Sequence, residues 1–397
     1  MKGASNFPAD SHDGSLLDDE SAMRRALELA AIPHGQTRPN PMVGCVIVKN
    51  HRRIGEGFHH RAGEPHAERM ALSACTEDTE GSTVYVTLEP CNHHGRTPPC
   101  VEALIAARPA RVVIAQHDPN PQAAGGVEAL RQAGISVHTG VLTREAVLLN
   151  ARFNLRFLQK RPAITLKWAM TLDGCTSTAT GHSKWITGEE ARLQVHRDRA
   201  AHGAVLVGIE TALADGARLT VRDVPLVAPS PRRILLDSTL RLPPQHPLLQ
   251  QEPESVIVIG SVQRADSERR KILESTGATV LLFPDDPESG LLSLFDLVAW
   301  WHSVGIDSLY VEGGRRVSGS FFASALVDCV HAYINPALLG SGEKALSPLL
   351  SPVAPSGMEE KMVLHGTQAE SFGGDFRLSG FTPRAWNALT SLWENPR

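Results

Sequence analysis

Short apolar runs recur along this chain between stretches of helical period, and that alternation restricts it to one class of fold. Residues 43–48 hold Val43, Cys45, Val46, Ile47 and Val48 with no polar alternation, the pattern of a strand buried on both faces. Residues 83–88 and 111–115 repeat it, and 135–139 reads as a further strand. Between them lie helical segments. Residues 20–32 place Ala22, Met23, Ala26, Leu27, Leu29 and Ala30 on one stripe, and shorter helices are expected around 66–72, 101–107 and 127–133. The second half alternates too, with strands expected at 164–168, 204–207, 233–237, 255–259, 279–282 and 309–312. Helices are expected there at 189–201, 265–275, 291–304 and 317–325. Strands alternating with helices call for a mostly parallel sheet covered by helices, an α/β fold.

A chain of 397 residues is long for one core, and two domains are expected. Residues 143–162 read as one amphipathic helix running into Arg156, Lys160 and Arg161, with a new strand after it, so the boundary falls near residue 158. No internal repeat relates the halves. The start of the chain is acidic, with Asp10, Asp13, Asp18, Asp19 and Glu20, and lacks the basic and apolar regions of a signal peptide. The organisation expected is a disordered tail over 1–19, then domains over 20–158 and 159–397.

Composition narrows the function classes. A net charge of −4 and 5% aromatic residues give no basic, aromatic-studded face, which argues against nucleic acid as a partner. No apolar run approaches the ~18 residues of a membrane-spanning helix. Six cysteines without a secretory signal suit reduced thiols or a metal site better than disulfides. A soluble cytoplasmic protein is expected.

The chemistry-bearing constellation is Pro65-His66-Ala67-Glu68, then Glu89-Pro90-Cys91, then Cys100. One imidazole and two thiolates are a zinc donor set of the catalytic kind, three protein ligands with a fourth position left for water. Glu68, two residues beyond His66, is placed to move protons without ligating. This is the signature of zinc nucleobase deaminases. If His66 and Cys100 each open a helix, the positive helix ends favour thiolate over thiol.

The spacing of the two cysteines departs from the general deaminase pattern. Eight residues, Asn92-His93-His94-Gly95-Arg96-Thr97-Pro98-Pro99, separate Cys91 from Cys100 in place of two. With Pro39-Asn40-Pro41-Met42-Val43-Gly44-Cys45 and the stretch from His59 to Glu68, this insert resembles the bifunctional riboflavin-biosynthesis deaminase/reductase family. The resemblance implies a cytidine-deaminase-like α/β/α domain in which His66, Cys91 and Cys100 bind zinc and Glu68 transfers protons. It also implies that Asn40, His93 and Arg96 contact a phosphoribosylaminopyrimidine. Those residue types suit such a ligand, since Arg96 offers a planar fork for phosphate, and Asn40 a donor and an acceptor for a pyrimidine edge.

The second half resembles the reductase domain of the same family, whose α/β fold is similar to dihydrofolate reductase. The matching pieces are residues 163–174, Gly181-His182-Ser183-Lys184-Trp185-Ile186-Thr187, Arg199, Val207-Gly208-Ile209-Glu210-Thr211 with Asp215, residues 233–238, Val311-Glu312-Gly313-Gly314 and Pro336-Ala337-Leu338-Leu339-Gly340. The resemblance implies an NADPH site lined by Ala169, Trp185, Thr211, Asp215, Ser238 and the segment Gly314, Arg315, Arg316, Val317, Ser318, Gly319 and Ser320. Lys167, Ser183, Arg199, Leu219, Arg222 and Glu312 should face the substrate, with Lys167 and Asp173 near the reacting end. A homo-oligomer, dimer or larger, is implied through this half.

The implied reactions are hydrolytic deamination of 2,5-diamino-6-(5-phosphoribosylamino)pyrimidin-4(3H)-one, then NADPH-dependent reduction of the ribosyl side chain to ribityl. One departure keeps an alternative open. Where the family often has Asp-Asp-Pro, this chain has Asp215-Gly216-Ala217. The alternative is an active deaminase with a non-catalytic C-terminal binding domain. A nucleic-acid-editing deaminase, from a different class, is disfavoured by the low charge and the enzyme-like second half.

Overall fold

The computed structural model describes residues 18–95, 98–340, 347–349 and 356–394. They divide into two compact units. One runs to Leu158 and takes in residues from Leu389 onward; the other spans Gln159–Ala388, ending short of residue 397.

The first unit comprises α1 (Asp19–Ala31), β1 (Gly44–Lys49), β2 (Arg52–Phe58), α2 (Ala67–Ser73), β3 (Thr83–Val86), α3 (Cys100–Ala107), β4 (Arg111–Ile114), α4 (Gly126–Gln132), β5 (Ser136–Thr139), α5 (Thr143–Leu149) and α6 (Ala151–Gln159). Its strands lie in the order β2-β1-β3-β4-β5. Strands β3, β4 and β5 are parallel, but β1 runs antiparallel to both β2 and β3, so this sheet is mixed where a mostly parallel one was expected. Both faces are covered. Cys45 and Ile47 of β1 pack with α2, α3 and α4, whereas Val46 and Val48 pack with α1 and α5. A strand buried on both faces has no polar alternation, which is why β1 was legible as an apolar run.

Two expectations change here. The tail expected over 1–19 ends before Asp18, because Asp18 caps α1 by accepting the Ser21 N–H and Asp19 is already helical. Asp19 also accepts from Tyr85 at 2.9 Å and from Arg111 at 2.8 Å, which fastens the helix start to β3 and β4. Residues 1–17 lie outside the described residues. The single helix expected over 143–162 is two. Asn150 leaves helical geometry (φ −101°, ψ 25°), and its amide bonds both backbone groups of Met42 at 2.8 Å.

The second unit comprises β6 (Ala163–Thr171), α7 (Glu189–Ala200), β7 (Ala204–Gly208), α8 (Ile209–Asp215), β8 (Arg232–Leu236), β9 (Val256–Ser261), α9 (Ser267–Ser275), β10 (Thr279–Phe283), α10 (Leu294–Ser303), β11 (Ser308–Val311), α11 (Arg315–Ala323), β12 (Cys329–Asn335), β13 (His365–Phe372) and β14 (Asp375–Phe381), followed by α12 (Pro383–Glu394). The nine strands lie in the order β10-β9-β8-β7-β11-β6-β12-β14-β13. All pairs from β10 to β12 are parallel, and β14 and β13 close the edge antiparallel. One face packs on α10 and α11, the other on α7, α8 and α9.

Beneath α7 the carboxylate of Asp198 is buried and fully engaged. It accepts from Tyr333 at 2.7 Å, Tyr310 at 3.0 Å, Arg377 at 2.9 Å and His331 Nδ1 at 3.0 Å. A buried charge needs such partners, and these tie α7 to β11, β12 and β14. No helix among the described residues is long and apolar enough to cross a membrane.

Candidate functional sites

In the first unit His66 is the N-cap of α2 and Cys100 the first residue of α3, so two helix starts meet. Cys91, in the loop after β3, accepts the Cys100 backbone N–H at 3.4 Å. His66 Nδ1 lies 3.3 Å from Cys100 Sγ and 3.5 Å from Cys91 Sγ, and all three atoms fall within 4.8 Å of one another. Tetrahedral zinc with S at about 2.3 Å and N at about 2.0–2.1 Å sets such donors about 3.6 Å apart, so the residues fit a zinc ion. Hydrogen bonding from the Cys100 thiol and from His66 pulls the Cys91 thiol down and favours its thiolate.

Glu68 follows in the first turn of α2 and is only 3% exposed. Burial is the main cause that raises its carboxyl above the usual range, with the negative field of Cys91 adding to it. A carboxyl so placed is suited to carry a proton near neutrality. Asn40 Nδ2 lies 3.0 Å from His59 Nε2, and the His59 ring stands edge-on to His66 at 5.2 Å. Asn40 is thus linked to His66 through His59. His93 is exposed in the insert, and Arg96 lies outside the described residues.

In the second unit a cavity of about 1340 Å³ opens at the carboxyl ends of β7 and β11, where ligands of open α/β sheets gather. It is lined by Lys167, Ala169, Ser183, Trp185, Arg199, Thr211, Asp215, Leu219, Arg222, Glu312, Gly314 and Arg315. Twelve of the expected reductase residues therefore come together here. Ser238, after β8, gives its carbonyl to Ser261 N and does not line the cavity; nor do Arg316, Val317, Ser318, Gly319 and Ser320, which lie within α11. Val317 instead packs where Gly313 would carry a Cβ, and Ser318 is buried, its hydroxyl donating to Gly313 O. Only the first turn of α11 reaches the opening. Asp173 is also displaced from its expected place, since it accepts from Thr171 and from the backbone of Leu339 and Gly340 and so fastens a loop.

Charge in this cavity is arranged around Glu312. Arg199 grips both its oxygens, and Lys167 Nζ lies 3.9 Å away. Burial is the larger effect on the Lys167 ammonium and lowers its pKa, although Glu312 opposes this. Ser183 donates to Asp215 at 2.9 Å, which keeps that aspartate at the rim. Gly216 takes a left-handed conformation (φ +55°) that closes α8, a geometry glycine adopts without strain. The departure at residues 215–217 is thereby absorbed with Asp215 still lining the cavity. Gly314 also has a physical reason: a Cβ there would stand 2.5 Å from Thr211 Oγ1.

Sequence reasoning does not single out His59 or His196, both of which stand at these sites. A lone histidine in a helix or loop carries no spacing signal; only its contacts mark it.

Comparison with known proteins agrees with this geometry. Residues 17–116 match the family model of the cytidine and deoxycytidylate deaminase zinc-binding region, and residues 162–371 match that of the RibD C-terminal domain. The riboflavin biosynthesis protein RibD of Escherichia coli is 44% identical over 345 residues, covering 84% of this chain and 92% of its own. That of Actinobacillus pleuropneumoniae is 43% identical over 344 residues, with 86% and 90% covered. The Acinetobacter baumannii RibD structure aligns at a TM-score of 0.80 and 38% identity, covering 92% of this chain and 98% of that one. A diaminohydroxyphosphoribosylaminopyrimidine deaminase/5-amino-6-(5-phosphoribosylamino)uracil reductase from Thermotoga maritima aligns at 0.76 and 35%, with the same coverage.

Proposed function

This chain belongs to the RibD family of riboflavin-biosynthesis proteins, and on that premise we propose that it is a two-site enzyme. The first site removes ammonia hydrolytically from 2,5-diamino-6-(5-phosphoribosylamino)pyrimidin-4(3H)-one. The second reduces the ribosyl side chain of the resulting aminouracil to ribityl with NADPH. The observation that carries the proposal is the convergence of His66, Cys91 and Cys100 with buried Glu68 beside them.

His66, Cys91 and Cys100 would hold a zinc ion, which would lower the proton affinity of water enough to supply a nucleophile near neutral pH. Glu68 takes the proton of the attacking water and passes it to the departing nitrogen. Asn40, oriented by His59, addresses the pyrimidine, and His93 and Arg96 address the phosphoribosyl group.

In the second site NADPH supplies the hydride. Gly314 and the start of α11 would receive its phosphates, favoured by the helix end, and Ala169, Trp185, Thr211 and Asp215 would complete that side. Arg199 and Arg222 with Ser183 hold the substrate phosphate, Leu219 packs against the substrate, and the Glu312–Arg199–Lys167 cluster orients the sugar. The protein's contribution there is positioning. The deaminase domain is taken from Asp18 to Leu158 and the reductase domain from Gln159 to Ala388, in a cytoplasmic homo-oligomer.

Zinc-loaded protein given the diaminopyrimidine and NADPH should release ammonia and then oxidise NADPH. Ammonia release without NADPH oxidation, even on supplied aminouracil, would favour a non-catalytic C-terminal domain; neither activity would contradict the proposal altogether.

A further inference from the structure

His196 lies on α7, one turn before Arg199, and lines the cavity of the second unit. Its Nδ1 accepts the backbone N–H of Arg222 at 3.3 Å. That bond fixes the tautomer: in the neutral ring the proton must sit on Nε2. His196 lines the cavity, and among the described residues its Nε2 makes no hydrogen bond. The charged groups facing the ring are Arg199 on the same helix, Arg222 and Asp223 in the loop after α8, and Glu312 after β11. Glu312 is already occupied by Arg199 and Lys167. Among the described residues the Arg222 side chain donates only to Thr220 Oγ1, so its positive charge remains for a ligand.

We propose that His196 is a specificity-determining residue of the second site, donating from Nε2–H to a phosphomonoester held by Arg199 and Arg222. The inference rests on the assignment of those arginines to the substrate's 5′-phosphate. The same ring that touches the phosphate also braces the Arg222 backbone, so one residue sets both the donor and the position of the loop.

Without a bound anion this imidazole is held neutral. Burial first, and then the fields of Arg199 and Arg222, hold its pKa down at about 4. The Arg222 N–H occupies the Nδ1 lone pair, so the ring stays neutral and donates from Nε2–H when the phosphate binds. Binding should therefore take up no proton at this ring.

The test compares His196→Leu, His196→Gln and Arg222→Ala with the whole enzyme, using the aminouracil with and without its 5′-phosphate and NADPH as hydride source. Leu removes the donor, and KM for the phosphorylated substrate should rise about tenfold, the lower end for a hydrogen bond to a charged group. KM for the dephosphorylated substrate and for NADPH should stay as in the wild type. Gln keeps a neutral donor, so its KM for the phosphorylated substrate should lie nearer wild type than that of the Leu variant. An unchanged KM in the Leu variant overturns the inference, as does a rise confined to NADPH, which would place the cofactor's 2′-phosphate at this ring. If Arg222→Ala also leaves the phosphorylated substrate unaffected, the phosphate assignment itself fails. If Arg222→Ala alone raises KM, only the role of His196 fails. Circular dichroism and retained ammonia release report whether each variant is folded.

Discussion

Arg199 and Glu312 form a two-pronged ion pair at the floor of the second site, Nε to Oε1 at 2.5 Å and Nη2 to Oε2 at 2.9 Å. Both groups are buried, and Lys167 adds a second positive charge near the same carboxylate. Burial opposes the charged form of Glu312, but Arg199 outweighs it and holds the carboxyl below its usual range. Removing one partner of such a pair leaves the other charge uncompensated, at a cost of about 3–5 kcal/mol. Glu312→Ala should lower the unfolding free energy by that order and depress NADPH oxidation, while ammonia release persists. Chemical denaturation monitored with both activities checks it. The depressed pKa also sets a sign: this stabilisation is present above the unfolded value and lost as pH falls through the folded one.

A basic-side counterpart is expected from His331. Burial opposes its charge most, but Asp198 and Cys329 together outweigh that and lift the imidazole to about 9. A raised folded pKa contributes fully below the unfolded value of about 6.5 and is lost as pH rises through about 9. Urea unfolding at pH 6, 8 and 9.5 should therefore show a loss on the order of 2–3 kcal/mol across this window. His331→Asn should flatten that window.

Gly314 gives a steric test of the cofactor side. With a Cβ brought to 2.5 Å from Thr211 Oγ1, Gly314→Ala must push one residue from the cavity wall. KM for NADPH should rise about tenfold, the effect of about 1.4 kcal/mol, with deamination unchanged. An unchanged KM for NADPH would separate this turn from the cofactor.

Cys100→Ala removes one of three zinc donors. Metal content after dialysis should fall well below one zinc per chain, and ammonia release should drop at least about a thousandfold, since the metal generates the nucleophile. Reduction of supplied aminouracil should continue.

How much of this was legible in the sequence depended on whether a feature is carried by local spacing. His66, Glu68 and Cys100 were readable because they fall at two helix starts, and Cys91 because it closes the Glu89-Pro90-Cys91 stretch after β3. Strands β1 and β7 were readable because burial on both faces leaves β7 wholly apolar and β1 apolar up to its last residue, Lys49. Strand β2 was not: Arg52, Arg53, Glu56 and two glycines carry no strand pattern, and β1 supplies its pairing. Strand β13 is largely exposed and polar, and β14 is placed by pairing with β12, well before it in the chain. The helix break at Asn150 needs Met42, 108 residues away, to explain it. His59 and His196 act only through contacts, with Asn40 and with Arg222.

Two separable activities on one chain, the first dependent on a proton carrier beside bound metal, make one variant decisive. Glu68→Gln is measured for ammonia release, zinc content and NADPH oxidation on supplied aminouracil in one preparation. Zinc is expected at the wild-type level, with ammonia release abolished and NADPH oxidation intact. Ammonia release near the wild-type rate, or loss of both activities in a folded, zinc-replete protein, would contradict the two-site reading.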